Sequence, residues 1–142
     1  MVGKYLITVV LLAVPAFAQQ KFLTVSPNPV PDSCTQTLQI AKNALASVGA
    51  PEQPWTWVVF CRDQDWSLTM RSAGIERNTD CAVSVLSKNF TYIKGSCLSD
   101  PAPQITPNYL IAHERGHIAT GSTSEKDADK WAKQHGFEWG KR

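Results

Sequence analysis

Apolar positions recur along the first half of the chain at spacings that predict two helices and one strand. Ser33 can cap a helix that runs to about Val48, because its apolar residues repeat at helical spacing and a glycine follows. The segment from Trp55 to Cys61 is rich in aromatic and β-branched residues, which predicts a strand. Residues 65–73 predict a second, short helix.

The elements that follow predict the fold class. Residues 81–87 and 90–96 predict a β-hairpin, with Asn89 at its turn. Residues 19–31 contain three prolines and predict an extended arm, which leaves residues 32–142 as a single domain. The order of elements predicts an α+β fold, in which a small, mostly antiparallel sheet packs with helices on one side.

Two more helices are predicted near the end of the chain. Pro107 suits the start of the first, and the apolar run at residues 109–112 can seat it against the core. Gly121 is a typical stop for that helix. Either Ser122 or Ser124 can cap the second helix, and both alternatives are compatible with the pattern.

Residues 113–117, which lie inside the first of these helices, read His-Glu-Arg-Gly-His. His113 and His117 are four positions apart, so they project from one helix face and can each give a nitrogen to one tetrahedral Zn²⁺. Glu114 lies where it can accept a proton from a water molecule held by the metal. Gly116 leaves room for a strand or a further ligand to approach. The string predicts a catalytic zinc site.

A catalytic zinc ion usually has three protein ligands. Glu125, on the first turn of the second helix, is the predicted third ligand. Asp129 lies four residues later on the same face and is predicted to accept an N–H from a histidine. Two alternatives stay open: Asp129 itself is the ligand, or both carboxylates belong to a solvated face among lysines. His135, the remaining histidine, lies near the end of that helix and is a poorer ligand candidate.

Residues 113–117, followed by Glu125 and Asp129, resemble the gluzincin pattern HExxH…ExxxD. This pattern occurs in minigluzincins and in CAAX prenyl protease and HtpX-like metallopeptidases. The resemblance covers about residues 79–132 and includes the strand pair before the helix. It implies a zincin-like fold and one zinc ion per chain. In that family, the residues that correspond to His113, His117 and Glu125 bind zinc, Glu114 corresponds to the general base, and Asp129 supports a ligand.

The chain departs from the gluzincin pattern in two respects. The spacer between His117 and Glu125 has only seven residues, which is short for the family. The downstream Arg or His that polarises the substrate carbonyl in the family has no match in this chain. Tyr92, Tyr109 and His135 are the candidates for that role.

The first residues of the chain predict export. Residues 1–18 read as a secretory signal peptide, with Lys4 in a short basic region, an apolar run at residues 5–14 and a small-residue cleavage site at residues 16–18. The apolar run is too short for a comfortable membrane span. An uncleaved signal anchor is the alternative. The predicted location is secreted or periplasmic, with no membrane span after the signal is removed.

Export makes the four cysteines candidates for disulfides rather than metal ligands. Cys81 and Cys97 lie at equal distances from the presumed hairpin turn, so they can face each other across two strands. Cys34 opens the first helix and Cys61 closes the strand after it, and an antiparallel helix–strand pair brings those ends together. The favoured connectivity is therefore 81–97 with 34–61.

Charge and motif together give a functional expectation. The 14 Lys and Arg residues nearly balance 12 Asp and Glu residues without a basic run, so nucleic acid is not an expected partner. We expect a secreted zinc metallopeptidase that acts on a peptide or protein substrate, with its oligomeric state left open. The alternative is a non-catalytic, zinc-stabilised binding or inhibitor module. Glu114 argues against that alternative, because a structural metal site does not need it.

Overall fold

The computed structural model describes residues 19–75 and 80–140, so the predicted signal peptide at residues 1–18 lies outside the described residues. The strands are β1 (Gln20–Val25), β2 (Trp55–Phe60), β3 (Ala82–Val85) and β4 (Phe90–Lys94). The helices are α1 (Asp32–Val48), α2 (Asp63–Ser72), α3 (Ser96–Ser99), α4 (Pro107–Thr120) and α5 (Glu125–Gln134). The described chain is a mixed α+β fold. None of its helices is both long enough and apolar enough to cross a membrane.

The sheet is mixed, so the prediction of a mostly antiparallel sheet is wrong. Its strand order is β1-β2-β4-β3. The β1–β2 and β2–β4 pairs are parallel, and only β3–β4 is antiparallel. The physical reason is the connection between strands. Helix α1 carries the chain from the end of β1 back to the start of β2, so these strands run the same way, whereas the tight turn before β4 reverses its direction.

The segment predicted as an extended arm is extended, and its first part is the outer strand β1. Residues Gln20–Val25 pair with β2 along their whole length. Residues 27–31, which carry the three prolines, connect this strand to α1. The pairing of β1 with β2 depends on backbone hydrogen bonds. Because every residue type except proline can both donate and accept these bonds, the amino-acid sequence does not reveal the pairing. The first strand of the sheet therefore precedes the domain boundary that was predicted at residue 32.

Helices lie on both faces of the sheet, which corrects the prediction that they lie on one side. Trp57 and Val59 of β2 belong to a core that also includes residues of α1 and α4. The alternate residue Phe60 packs with Trp66 and Met70 of α2 on the opposite face. Strand β2 is apolar at nearly every position because it is buried on both faces, as is typical of an inner parallel strand.

Several predicted turns and helix ends are found at the expected residues. Asn89 adopts a left-handed conformation, with φ of 55°, at the β3–β4 turn. Gly121 ends α4 with φ of 65°. Ser124, rather than Ser122, caps α5 and accepts a hydrogen bond from the Asp127 backbone N–H. Asn89 thus lies at the turn of the hairpin, and a short loop from Gly121 to Ser124 connects α4 to α5.

Both favoured disulfides are formed. Cys34 near the start of α1 bonds to Cys61 just after β2, and their Cα atoms are 5.4 Å apart. Cys81 just before β3 bonds to Cys97, with a Cα separation of 5.8 Å. Cys97 lies on α3 rather than on the strand predicted to reach residue 96. Two disulfides in one small domain are typical of proteins in oxidising compartments.

Gly116 allows α4 and α5 to approach closely. A Cβ atom at Gly116 would lie 2.6 Å from the carbonyl oxygen of Ala128 and 2.8 Å from its Cα. Such contacts exclude any side chain, so only glycine fits unless the helices move apart. The sequence predicted that a strand or metal ligand would use this space, whereas it is helix α5 that fills it. The close contact brings the start of α5 beside His113 and His117.

Candidate metal centre

Helix α4 holds the motif residues within the protein rather than on its surface. Thr106 caps the helix by accepting a hydrogen bond from the Tyr109 backbone N–H at 3.1 Å. The apolar run that follows is buried, which fixes the rotation of the helix about its axis. That rotation leaves Glu114 and His117 almost fully buried. The motif side chains therefore face the interior, towards β3 and α5.

Three nitrogen and oxygen atoms converge beside α4. The two Nε2 atoms of His113 and His117 are 3.2 Å apart. The Glu125 carboxylate lies 2.8 Å from His113 Nε2 and 3.5 Å from His117 Nε2. Ligand atoms at about 2.0–2.2 Å from a tetrahedral zinc ion are about 3.3–3.6 Å from one another. The His113–His117–Glu125 group has the size of a single metal site, and it could hold a metal ion.

The hydrogen bonds of the two imidazoles explain why these atoms can accept a cation. His117 Nδ1 lies 2.8 Å from the Ser122 carbonyl oxygen, which can only accept a hydrogen bond. His113 Nδ1 lies 2.7 Å from the Asp129 carboxylate. Each Nδ1 therefore faces an acceptor and donates its proton, so Nε2 is the ring nitrogen that can offer a lone pair to a metal. Two lone pairs and a carboxylate oxygen meet at one point, which a metal cation would satisfy.

Asp129 occupies the position predicted for a group that supports a ligand. Its Oδ1 atom accepts from His113 Nδ1 and also from the Tyr109 hydroxyl, which is 2.5 Å away. This places the carboxylate behind His113, while Glu125 lies on the Nε2 side of the ring. The arrangement favours Glu125 over Asp129 as the ligand. Ser122 was not identified from the sequence as a support for His117. The supporting atom is a backbone carbonyl oxygen, which every residue type has.

Glu114 is buried beside the histidines and is held by β3. Ser84 donates a hydrogen bond to Glu114 Oε2 at 2.5 Å. Burial raises the pKa of the Glu114 carboxyl above its usual range, while the Ser84 hydrogen bond and the two histidines oppose that change. A carboxyl with a raised pKa accepts a proton more readily near neutral pH. Sequence reasoning missed Ser84, whose only signal is a hydroxyl in an otherwise apolar strand.

The three candidates for carbonyl polarisation lie in different environments. Tyr109 is next to the site, but its hydroxyl donates to Asp129, and burial together with that bond raises its pKa above the usual range. Tyr92 packs against Phe60 on the α2 face of the sheet. His135 stacks on the Trp131 ring at the far end of α5. Of these three residues, the structure brings only Tyr109 to the metal centre.

Two hollows adjoin the candidate metal centre, and residues of β3 line both of them. Strand β3 is an outer strand of the described sheet. The first hollow has a volume of about 540 Å³, and its lining includes Ile75, Val83, Leu86, Glu114, His117 and Thr123. The second hollow has a volume of about 290 Å³, and its lining includes Ile105, Tyr109, Leu110, His113 and Trp139. Asp80, Ala82, Glu114 and Glu125 line both hollows, so both hollows adjoin the His113–His117–Glu125 group.

The fold and the site define a mixed α+β protein with a His-His-Glu group that could hold a metal ion. Comparison of the chain with protein-family models, curated proteins and solved structures found no match. The resemblance to gluzincins therefore depends on the motif residues of the sequence alone.

Proposed function

We propose that the protein is a zinc-dependent metallopeptidase of the gluzincin type. The supporting observation is the convergence of His113, His117 and Glu125 beside a buried carboxylate, Glu114, that is not among the three converging groups. Two imidazoles and one carboxylate are a donor set that suits zinc, and three protein ligands leave one coordination position for reacting groups. A structural zinc site would normally have four protein ligands.

The residues of the centre have distinct roles in the proposed hydrolysis. When bound, the zinc ion would act as a Lewis acid and lower the pKa of a coordinated water to about 7. Glu114 accepts a proton from the attacking water and later passes it to the leaving amine. Asp129 and the Ser122 carbonyl keep each Nδ1 protonated, so that both Nε2 atoms stay available as ligands.

Strand β3 supports a peptide or protein as the substrate. One side of β3 pairs with β4, and its other side is the edge of the described sheet. An extended peptide can add to such an edge by backbone pairing, with its side chains entering pockets. The hollows that adjoin the His113–His117–Glu125 group could receive those side chains. An outer strand above the metal-binding helix also supports the zincin-like classification implied by the motif.

The proposed location is secreted or periplasmic. The two disulfides indicate an oxidising environment. The composition of residues 1–18, read as a signal peptide, supports export by an independent feature of the chain.

A non-catalytic, zinc-stabilised binding or inhibitor module is the second candidate. It is favoured by the environments of the three candidates for carbonyl polarisation, because Tyr109 is engaged by Asp129 while Tyr92 and His135 lie elsewhere. The burial of Glu114 weighs against it. Burying a carboxylate is costly unless it is paired, and a structural zinc site has no use for this one.

Hydrolysis should depend on the metal. Purified protein is expected to cleave an unfolded protein substrate, to lose this activity with a zinc chelator, and to regain it when about one equivalent of zinc is returned. Fragment analysis by mass spectrometry would measure cleavage. If no zinc-loaded sample cleaves either an unfolded protein or a peptide library, the metallopeptidase proposal is wrong and the binding-module candidate replaces it.

Asp129→Ala should weaken zinc binding by about 10–100-fold, because His113 would lose the carboxylate that orients its ring and keeps Nδ1 protonated. Competition with a zinc-binding dye would measure the change. Asp32→Ala at the start of α1 is the matched control, since it removes the same charge far from the centre. Equal zinc affinity in Asp129→Ala and Asp32→Ala would contradict this role.

A further inference from the structure

A chain of hydrogen bonds crosses the sheet and ends on Glu114. The Trp55 indole N–H donates to Thr91 Oγ1 at 2.9 Å. Thr91 Oγ1 lies 2.8 Å from Ser84 Oγ, and Ser84 donates to Glu114 Oε2 at 2.5 Å. These residues come from β2, β4, β3 and α4 in spatial order, so the chain joins the inside of the sheet to the metal-binding helix.

The direction of every bond in this chain follows from the chemistry of its two ends. An indole N–H can only donate, and at the other end of the chain the Ser84 hydroxyl is the donor to Glu114 Oε2. Ser84 therefore gives its one hydroxyl proton to Glu114, and it must accept from Thr91 at its oxygen. Thr91 in turn accepts from Trp55. All donors point towards the carboxylate, and hydrogen bonds aligned in this way reinforce one another.

Burial indicates that the Thr91 hydroxyl is not there for packing alone. Thr91 is fully buried, and Trp55 and Glu114 are nearly so. A buried hydroxyl is unfavourable unless it is hydrogen-bonded, and valine would fill the Thr91 position with the same shape. The chain gives the Thr91 hydroxyl two hydrogen bonds, because its oxygen accepts one and its proton makes another. The one charged group that the chain reaches is Glu114.

We propose that Ser84 is a positioning residue for Glu114, with Thr91 and Trp55 holding Ser84 in turn. The bond to Oε2 fixes the orientation of the carboxylate, which leaves its other oxygen to take the proton from the attacking water. This inference rests on the proposed peptidase function. Ser84 acts through Glu114 and not on the substrate. Its loss should therefore reduce kcat, while KM and zinc content remain close to those of the wild type.

The test compares variants that remove a hydroxyl with variants that keep it. Ser84→Ala should lower kcat by about 10–100-fold, the range expected for a lost hydrogen bond to a charged group. Ser84→Thr should restore most of that loss. Thr91→Val should cause a smaller reduction, and Thr91→Ser should reverse it. Thr56→Val, on the neighbouring position of β2, is the control for replacing a threonine in this sheet.

The combined variant Ser84→Ala/Thr91→Val distinguishes a chain from two separate effects. If Thr91 acts through Ser84, the double variant should be no slower than Ser84→Ala alone. A wild-type kcat in Ser84→Ala, a loss that Ser84→Thr does not restore, or reductions that multiply in the double variant would overturn the inference. An inactive zinc-loaded wild type is a different outcome, since it would overturn the proposed function itself. If Ser84→Ala does not fold, the Thr91 variants decide. A reduced kcat in Thr91→Val that Thr91→Ser restores would support the inference, and a wild-type kcat in Thr91→Val would overturn it.

Discussion

Replacement of His113 or His117 by Ala is expected to nearly abolish the binding of one zinc ion per chain at protein concentrations of about 1 μM or below. Protein-held zinc has an apparent binding free energy on the order of 10 kcal/mol, so one ligand of three contributes about 3 kcal/mol. The loss of such a ligand corresponds to about a hundredfold or more in affinity. Glu125→Ala should weaken binding strongly for the same reason, because its carboxylate lies 2.8 Å from His113 Nε2.

His135→Ala is the matched control for the histidine variants. His135 stacks on Trp131 at the end of α5, so its removal should leave one zinc ion bound per chain. Zinc content by elemental analysis, together with the thermal unfolding transition, would separate loss of the ligand from loss of the fold. Full zinc retention in Glu125→Ala would show that the third ligand is another group, of which Asp129 is the nearest candidate.

Glu114→Gln should reduce hydrolysis by about 10²–10⁴-fold, which is the usual contribution of a positioned general base. The amide has nearly the shape of the carboxylate but cannot take a proton from the attacking water. Glu114 is not one of the three groups that converge as ligands, so zinc content should be retained. Initial rates on an unfolded protein, measured at equal zinc occupancy, would give the ratio.

Glu52→Gln serves as the control for this substitution, because Glu52 is an exposed glutamate outside the metal centre. It should hydrolyse the substrate at the rate of the wild type. If Glu114→Gln and Glu52→Gln were equally active at equal zinc occupancy, Glu114 would not be the base. The proposed mechanism would then be wrong, and the result would favour the non-catalytic binding module as the function.

Local pattern was sufficient to place most helices and turns. Asn89, Gly121 and Ser124 have side chains or backbone freedom that suit a turn, a helix end and a helix cap, and each is found in the predicted role or in one of the predicted alternatives. The disulfide connectivity was also predicted, because Cys34 and Cys61 mark the ends of adjacent elements. The turns and caps depend on neighbours in the sequence, and the disulfides depend on the order of adjacent elements.

Strand pairing could not be predicted in the same way. The β1 segment carries no strong alternation, and its partner in β2 follows only after the whole of α1. Its place in the sheet depends on backbone pairing with a distant strand and on burial against the core. The position of α2 could not be predicted either. Helix α2 covers the face of the sheet on which Phe60 is buried, whereas Trp57 is buried on the other face.

The sequence by itself determined which residues could bind a metal, because His113 and His117 share a helix face at a spacing set by the helix alone. It also determined that Glu125 and Asp129 share a face of the next helix. Only the tertiary structure decided that these two faces meet, through the close contact of α5 with Gly116. It also decided which atoms support the centre, namely the Ser122 carbonyl and the Ser84 hydroxyl. The physical reason is that helical periodicity is a local property, whereas a contact between separate elements depends on how the whole chain packs.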